Sequence, residues 1–377
     1  MVLVVGNRCV HIHLYCDIQG RVYAHHCQCA SFVSFVFLKL IMRVSVIVPI
    51  YNAEAYIGKC AESLMMQTYG DIEYVFVDDA STDASIPVLN GVIDKFESRK
   101  KQVKVLRHET NRGASAARFD GAREATGEWV IFVDSDDYVL PDYIAHLANR
   151  GEEAGADVVV CDYYEERESG NLVEKRVNLP NAKDEILAGI IVGTIKGYLV
   201  NKLARRRLWS GIAADDGLAM FEDKHCVMQL CFAAKNIAYL AEPLYVYNRQ
   251  NYGNSMSSKN KGALIGDAIR ITELTQELLR EKCDDEHSAK MLWQAYDEFC
   301  IGIKGLILLY GICEQLQEYN RVCNKKHYPL NMIIKQPVIP VYYKAVVVCY
   351  EKHLRIFIPV IRGAFAVCKA IKDKLRH

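Results

Sequence analysis

The chain has 377 residues, enough for one large domain or two modest ones. Hydrophobic residues make up 51% of it and charged residues 24%, an ordinary composition for a globular protein. The 46 basic residues equal the 46 acidic ones, which excludes a whole-chain field that would attract nucleic acid, so we expect no nucleic-acid partner.

Residues 1–41 differ from the rest of the chain because they are rich in cysteine and histidine. These residues are Cys9, Cys16, Cys27, Cys29, His11, His13, His25 and His26. Three interpretations stay open: a mis-assigned upstream extension before a start at Met42, an unusual appendage, and a metal site built from the usual zinc ligands. The spacing matches no standard zinc module, which favours a non-native or disordered extension.

The other cysteines are scattered through mostly apolar segments, as expected for reduced, buried thiols of a cytoplasmic protein. No stretch after residue 42 is apolar over a length that could span a bilayer.

From Met42 onward, apolar strands alternate with amphipathic helices. The predicted strands are Val44–Val48, Ile72–Val77, Val103–Leu106, Trp129–Val133 and Asp157–Cys161. The predicted helices are Ala53–Gln67, Ala84–Phe96 with Asp83 as its cap, Ala114–Ala125, and one that starts at Pro141. This alternation predicts an α/β fold with a mostly parallel sheet, whose ligands bind at the carboxyl ends of the strands.

The second half of the chain is less regular. Residues 165–182 are charged and predicted to form a loop, and residues 184–247 are mixed. The pattern of Gly262–Leu316 predicts helix. Val338–Leu375 is a last amphipathic region with a predicted kink or break at Pro359.

Acidic residues follow two of the predicted strands. Asp134 and Asp136, one residue apart at a strand end, can reach one hard divalent cation, although a capped turn would use the same residue types. Asp78 and Asp79 follow the second strand, where one carboxylate can accept a hydrogen bond from a base N–H or a ribose hydroxyl. The pattern does not distinguish which of the two does so.

Four motifs, in this order and spacing, resemble those of family 2 glycosyltransferases, which have the GT-A fold. They are Val44–Asn52 (VSVIVPIYN), Val77–Asp83 (VDDASTD), Asn111–Arg118 (NRGASAAR) and Phe132–Asp137 (FVDSDD). The resemblance continues more weakly through Asn201–Leu203, Phe221–Asp223 and Leu244–Tyr247, and covers about residues 43–258.

The resemblance implies a nucleotide-sugar donor, most often a UDP-sugar, a divalent cation (Mn²⁺ or Mg²⁺), and inversion at the anomeric carbon. It implies that a glycan or lipid-linked acceptor is extended, as in bacterial polysaccharide biosynthesis, at the cytoplasmic side of the membrane. The implied nucleotide contacts are Pro49, Tyr51, Asp78 or Asp79, Arg118 and Asp134. The implied metal ligands are Asp134 and Asp136, and the implied catalytic base is Asp223, with Glu222 beside it. A helix N-terminus would also favour these two acids.

Several residues leave alternatives open. Arg118 could contact the diphosphate or the base, or be an ordinary solvated helix residue. Lys202 and the run Arg205–Arg207 could clamp a phosphate or form a solvated face. Phe119 stands where the family usually has Asn, which leaves open a GT-A-fold binding protein with lost or reduced turnover. A nicotinamide-dependent oxidoreductase would need a glycine-rich turn after the first strand and is discarded.

We therefore predict three parts: an extension (1–41), a GT-A glycosyltransferase domain (42–258), and a helical region (259–377) that ends in a basic amphipathic tail. Residues 341–377 hold two acids, Glu351 and Asp373, and eight basic residues: Lys344, Lys352, Arg355, Arg362, Lys369, Lys372, Lys374 and Arg376. That mixture suits peripheral binding to an anionic membrane surface, the inner face of the plasma membrane, although a helix packed on the protein would also accommodate it.

Overall fold

The computed structural model describes residues 43–215, 218–249, 261–283, 285–311, 313–323, 327–335 and 339–374, and four short strands before residue 26. Of residues 261–262, 313 and 367–374, only the backbone is described. The cysteine and histidine side chains of residues 1–41 lie outside the described part, so the predicted alternatives for that segment stay predictions.

The chain divides into two compact units, Met1–Arg43 and Val44–His377. In the first, β1 (Val2–Val5) pairs with β2 (Arg8–His11), and β3 (His13–Cys16) pairs with β4 (Val22–His25), both antiparallel. The strands described in the second unit are β5 (Val44–Ile50), β6 (Ile72–Asp78), β7 (Val103–Arg107), β8 (Trp129–Phe132), β9 (Tyr138–Val139), β10 (Val158–Glu166), β11 (Leu172–Lys175), β12 (Lys202–Arg205) and β13 (Ile237–Asn248).

The helices described in the second unit are α1 (Ile57–Met65), α2 (Ser85–Ile93), α3 (Glu97–Lys100), α4 (Gly113–Glu124), α5 (Tyr143–Glu153), α6 (Lys183–Val192), α7 (Arg206–Trp209), α8 (Glu222–Ala233), α9 (Lys261–Lys282), α10 (Glu286–Tyr310), α11 (Cys313–Val322), α12 (Leu330–Lys335), α13 (Val341–Glu351) and α14 (Ile358–Lys374). A 3₁₀ turn, Arg355–Phe357, precedes α14. Among these helices, none combines the length and apolarity that crossing a bilayer needs.

The strands of the second unit form one sheet in the order β7-β6-β5-β8-β12-β10-β13-β9, with β11 paired to β10. The first four strands in this order are parallel, because helical crossovers connect them. Strand β12 is antiparallel to both of its neighbours, β8 and β10. The strands β5 and β6 are buried along their whole length, as expected for strands covered on both faces.

The predicted α/β fold is confirmed, and the five predicted strands are all present. Helix α1 starts four residues later than predicted, because Ala53 and Glu54 donate their amides to Ser85 and Asp83 across the neighbouring loop. Asp83 accepts the amide of Ser85 at the start of α2, in line with its predicted capping role.

Three predictions were wrong. Residues 165–182 are not simply a loop, because β10 extends to Glu166 and β11 pairs with it as a hairpin. Pro141 precedes α5, which begins at Tyr143. The break in the C-terminal region lies at residues 352–357, and Pro359 instead occupies the first turn of α14, where a missing N–H costs nothing.

Candidate active site

The carboxyl ends of β5, β6 and β8 lie side by side and bring three of the recognised motifs together. Ile50 pairs with Asp78 across β5 and β6, and the amide of Val133 donates to the carbonyl of Ile47 at 3.0 Å. Pro49 is buried within β5, whereas the Tyr51 side chain just beyond the strand is 51% exposed. A ligand at this edge therefore meets Tyr51 on one side and the turn that starts at Asp134 on the other.

The loops after β5 and β6 are fastened to each other. Asn52 has a left-handed backbone (φ 48°), and its side-chain oxygen accepts the amide of Thr82 at 2.9 Å. Its own amide donates to the Ser81 hydroxyl at 3.1 Å. Asn tolerates this backbone conformation better than most residues. These bonds make the rim beside Asp78 a single connected structure.

The two neighbouring aspartates, Asp78 and Asp79, have different surroundings. Asp79 accepts the ring Nδ1 of His108 at 2.7 Å and the amides of Arg112 and Gly113 at 2.8 and 2.7 Å, so it caps the start of α4. Asp78 Oδ1 accepts the amide of Ser81 at 2.9 Å. Its Oδ2 is buried and accepts no hydrogen bond from the described residues, although it forms an ion pair with Arg107, whose Nε lies 3.2 Å away. Of the two aspartates, Asp78 is therefore the one with an oxygen that a ligand could bind in place of Arg107.

The acidic turn after β8 brings carboxylate oxygens of Asp134, Asp136 and Asp137 within 4.8 Å of one another. Asp137 serves the fold: it accepts the Tyr245 hydroxyl and, at 2.7 Å, the amide of Asn248. Burial, with Asp134 and Asp136 nearby, raises the pKa of Asp137 well above its ordinary value. Asp134 and Asp136 are partly exposed and form the part of this cluster that a cation can reach.

Arg118, in α4, joins this turn to the start of α8. Its guanidinium contacts Asp134 Oδ1 at 2.7 Å, Asp223 Oδ1 at 3.1 Å and Glu222 Oε1 at 3.4 Å. The side chain is only 8% exposed, and although burial opposes its charge, the three carboxylates raise the pKa of Arg118 well above its ordinary value. Gly121, one turn later, has no room for a side chain because Ile47 of β5 lies against it. This close packing holds α4, and with it Arg118, against the sheet.

Glu222 and Asp223 form the first turn of α8, directly after Phe221, whose backbone is left-handed (φ 70°). Such a conformation is unusual for an aromatic residue and turns the chain sharply before the two acids. Asp223 Oδ2 also accepts the amide of Leu199 at 3.3 Å. Burial and the nearby negative charge of Asp223 raise the pKa of Glu222 to about 7, although the positive charge of Arg118 lowers it. Burial also raises the pKa of Asp223, although the positive charge of Arg118 lowers it.

Lys202 and the run Arg205–Arg207, the other basic residues considered for phosphate binding, make contacts within the protein. Lys202 is buried and donates to the carbonyls of Lys196 and Tyr198 and to the side-chain oxygen of Asn201, at 2.6–3.1 Å. Burial lowers the pKa of Lys202 to about 8. In the run that follows, Arg205 bonds to Glu128 and Glu152, Arg206 to the carbonyl of Gly127, and Arg207 to Asp157. Lys202 and Arg205 are held by these contacts, whereas Arg206 and Arg207 are exposed, as the solvated-face alternative predicts.

Comparison with known proteins agrees with this arrangement. The family model described as glycosyl transferase family 2 matches residues 45–208. EpsH of Bacillus subtilis, provisionally named a glycosyltransferase, is 30% identical over 258 residues, which are 66% of this chain and 72% of EpsH. The glycosyltransferase GlyG of Streptococcus pneumoniae is 32% identical over 55% of this chain and 71% of its own. The chain belongs to glycosyltransferase family 2. It is therefore a glycosyltransferase.

Solved structures support the same fold for this glycosyltransferase. The crystal structure of residues 1–349 of TarS from Staphylococcus aureus in complex with UDP has a TM-score of 0.61 and 22% identity, and covers 84% of this chain and 91% of that one. The complex of TarS with UDP-GlcNAc has a TM-score of 0.59. The predicted GT-A fold is thereby confirmed, with the helical C-terminal region that follows residue 260.

Two features of the site were not predicted from the sequence. Tyr245 and Asn248 hold the acidic turn, since Asn248 also donates its side-chain amide to the carbonyl of Asp136 at 3.1 Å. The weak motif at Leu244–Tyr247 was the only signal of this role. Phe119, the departure from the family pattern, packs edge-on against Trp209 with ring centroids 6.4 Å apart and leaves the contacts of Arg118 intact.

Proposed function

We propose that this glycosyltransferase transfers a sugar from a nucleotide-diphosphate sugar, with UDP as the nucleotide, to a hydroxyl group of a glycan or lipid-linked acceptor, with inversion at the anomeric carbon. The observation that carries the proposal is the link through Arg118. It joins Asp134, on the turn expected to hold the donor, to Asp223, which lies 105 residues from Arg118 in the chain. Asp134 on the donor side and the proposed base Asp223 thus contact the same guanidinium, so a single displacement could use both.

The donor is proposed to bind between Tyr51 and the acidic turn. Asp78 is the preferred contact for the nucleotide base, because its buried Oδ2 accepts no hydrogen bond from the described part of the chain and can accept an N–H. Arg107 covers this oxygen but is 68% exposed, so it can move aside at little cost. UDP is the favoured nucleotide because TarS, a relative in fold, binds UDP and UDP-GlcNAc.

Asp134 and Asp136 are proposed to hold a divalent cation, Mn²⁺ or Mg²⁺. Their carboxylate oxygens suit a hard cation, and the cluster is compact enough for one ion. A bound cation would offset the negative charge that the leaving diphosphate acquires. Because Arg118 already contacts Asp134, the cation would share this carboxylate with the guanidinium.

Asp223 is proposed to act as the general base. Inversion requires a single displacement, in which the acceptor oxygen bonds to the anomeric carbon as the bond from that carbon to the diphosphate oxygen breaks. The acceptor's proton passes to a carboxylate oxygen of Asp223, which Leu199 and Arg118 hold in position. Glu222, the preceding residue, stabilises the Asp223 carboxylate or adjusts its pKa.

The alternative is a GT-A-fold nucleotide-sugar binding protein with lost or reduced turnover. Phe119 is the observation in its favour, but its ring packs on Trp209 and replaces none of the carboxylates. A binding protein would have no use for a base held opposite the donor turn.

We also propose that residues 42–258 are the catalytic domain, that residues 259–377 support it, and that the reaction takes place at the inner face of the plasma membrane.

The test is Asp223→Asn, assayed for binding and turnover separately. We expect UDP affinity, measured by calorimetry in the presence of Mn²⁺, to stay close to wild type. Release of UDP from nucleotide sugars, in a screen with candidate acceptors, should fall by a factor on the order of 10² or more. Asp94→Asn, an exposed surface carboxylate, is the matched control. An equal loss of affinity and turnover would make Asp223 a binding or structural residue.

A further inference from the structure

The turn between α13 and α14 is a defined element. Just beyond α13, His353 has a left-handed backbone (φ 58°), and the amide of Leu354 donates to the carbonyl of Cys349 at 2.7 Å, the hydrogen-bond pattern of a Schellman ending. The 3₁₀ turn Arg355–Phe357 follows, and Ile358 is buried. Hydrogen bonds therefore define the backbone of this turn.

This turn concentrates exposed apolar side chains. Leu354 is 47%, Ile356 80%, Phe357 52% and Val360 66% exposed. These four residues lie within seven positions, yet they make up four of the ten large hydrophobic residues exposed in the described part of the chain. Single exposed apolar residues are normal on soluble proteins, whereas a cluster of this kind marks an interaction surface.

The charged residues within this segment all have one sign. Lys352, Arg355 and Arg362 are exposed, and residues 352–366 contain no Asp or Glu. The nearest acid, Glu351, faces inward, where it bonds to the buried Lys304 at 2.7 Å and to His327 at 2.6 Å. The guanidinium of Arg355 lies 4.5 Å from the ring centre of Tyr350, a residue of α13. The turn is therefore both apolar and cationic.

We propose that residues 352–362, here called the basic turn, dock on an anionic lipid bilayer. Aliphatic and aromatic side chains enter the interface of a bilayer without needing matched hydrogen bonds, and the cations on either side meet the lipid phosphates. A second copy of this chain would place like charges opposite each other, which disfavours self-association through the same surface. The attachment is peripheral and leaves the catalytic domain on one side of the membrane.

The inference deepens the proposed function by supplying a surface that brings the site to a lipid-linked acceptor. It rests on that function only for its biological purpose. Binding to vesicles needs neither donor nor base, so failure of the catalytic proposal and failure of this one give different results. The side chains of the four basic residues from Lys369 onward lie outside the described part, and the basic turn does not include them.

The experiment is co-sedimentation of the full chain with vesicles of phosphatidylcholine alone or mixed with phosphatidylglycerol. We expect binding to the mixed vesicles, loss of most of it at high salt, and little binding to phosphatidylcholine. Ile356→Ser with Phe357→Ser should weaken binding to the mixed vesicles by about tenfold or more. Lys352→Gln with Arg355→Gln should weaken it by about 25-fold, since each cation contributes about a fivefold gain.

Matched controls are Met66→Ser, which removes an exposed apolar side chain elsewhere, and Lys100→Gln with Lys101→Gln, which removes two cations outside the basic turn. Both should bind like wild type. The charge variant keeps the test valid if the apolar variant folds poorly. Wild-type binding that does not depend on phosphatidylglycerol, or turn variants that bind like the controls, would overturn the proposal. So would concentration-dependent dimerisation that the turn variants abolish, because a second copy would then occupy this surface.

Discussion

The contrast between Asp78 and Asp79 gives the sharpest test of the site. We predict that Asp79→Asn destabilises the protein with little direct effect on nucleotide contacts, whereas Asp78→Asn weakens nucleotide binding with little effect on stability. The two residues are adjacent and both are almost fully buried. Burial and charge alone therefore predict similar effects, and the difference between them comes only from their hydrogen bonds.

The expected magnitudes follow from those bonds. Asp79 uses both oxygens, one for His108 and Arg112 and the other for Gly113, so the NH₂ group of an asparagine there must face at least one N–H donor. Losing a cap and leaving a buried amide unpaired should lower the free energy of unfolding by about 2–4 kcal/mol. In Asp78→Asn, the side-chain oxygen can still accept the Ser81 amide, and the NH₂ group would face Arg107 Nε. Because the Arg107 side chain is 68% exposed and can turn into solvent, the cost should be smaller, about 1 kcal/mol. Losing a charge-assisted bond to the base should weaken UDP binding by about 10- to 100-fold.

Urea denaturation would give the two stability changes, and calorimetry with UDP and Mn²⁺ would give the two affinities, with Asp94→Asn as the common control. Nucleotide binding should be measured well below the unfolding midpoint of Asp79→Asn, so that unfolded protein does not imitate weak binding. A reversed pattern, with Asp78→Asn unstable and Asp79→Asn stable but unable to bind UDP, would refute the reasoning.

The other predictions concern the cation and the acidic pair. Asp136→Ala should abolish cation-dependent donor binding and transfer, and excess chelator should do the same to the wild-type protein; undiminished activity in either case would remove the cation from the proposal. A general base acts in its ionised form, and burial raises the pKa of Asp223 above its ordinary value although Arg118 lowers it, so kcat/KM should fall on acidification at a higher pH than an ordinary aspartate would give. Glu222→Gln should move that fall to lower pH in a pH–rate profile, and an unchanged profile would show that Glu222 does not influence the base.

Much of the fold could be predicted because its signals are local. Buried strands such as β5 and β6 are continuous apolar runs, and the acidic residues that end β6 and follow β8 stand where parallel sheets bind ligands. The signal fails where the structure depends on distant partners. Strand β11 has alternating exposed and partly buried residues and pairs only with the end of β10, so its charged sequence indicated a loop. The antiparallel strand β12 owes its place to pairing on both sides with β8 and β10.

The same limit explains which parts of the site stayed open. Residue type and position at a strand end were sufficient to select Asp78, Asp79, Asp134 and Asp136, because these depend on the strand that precedes them. The function of each carboxylate depends on what already occupies its oxygens. Asp79 and Asp137 have both oxygens engaged by groups 29 to 111 residues away, a separation that no local pattern reports.

Arg118 is the extreme case. On sequence it is one arginine in a helix with low amphipathicity, and neither a solvated position nor a diphosphate contact could be preferred. In the folded chain it is buried among three carboxylates that come from two different segments, 16 and 105 residues away for Asp134 and Asp223. A buried guanidinium is tolerated only when such partners are present, because desolvation alone would be costly. The burial of Arg118 is thus a consequence of the acidic cluster, and its contacts connect the donor side of the site to the proposed base.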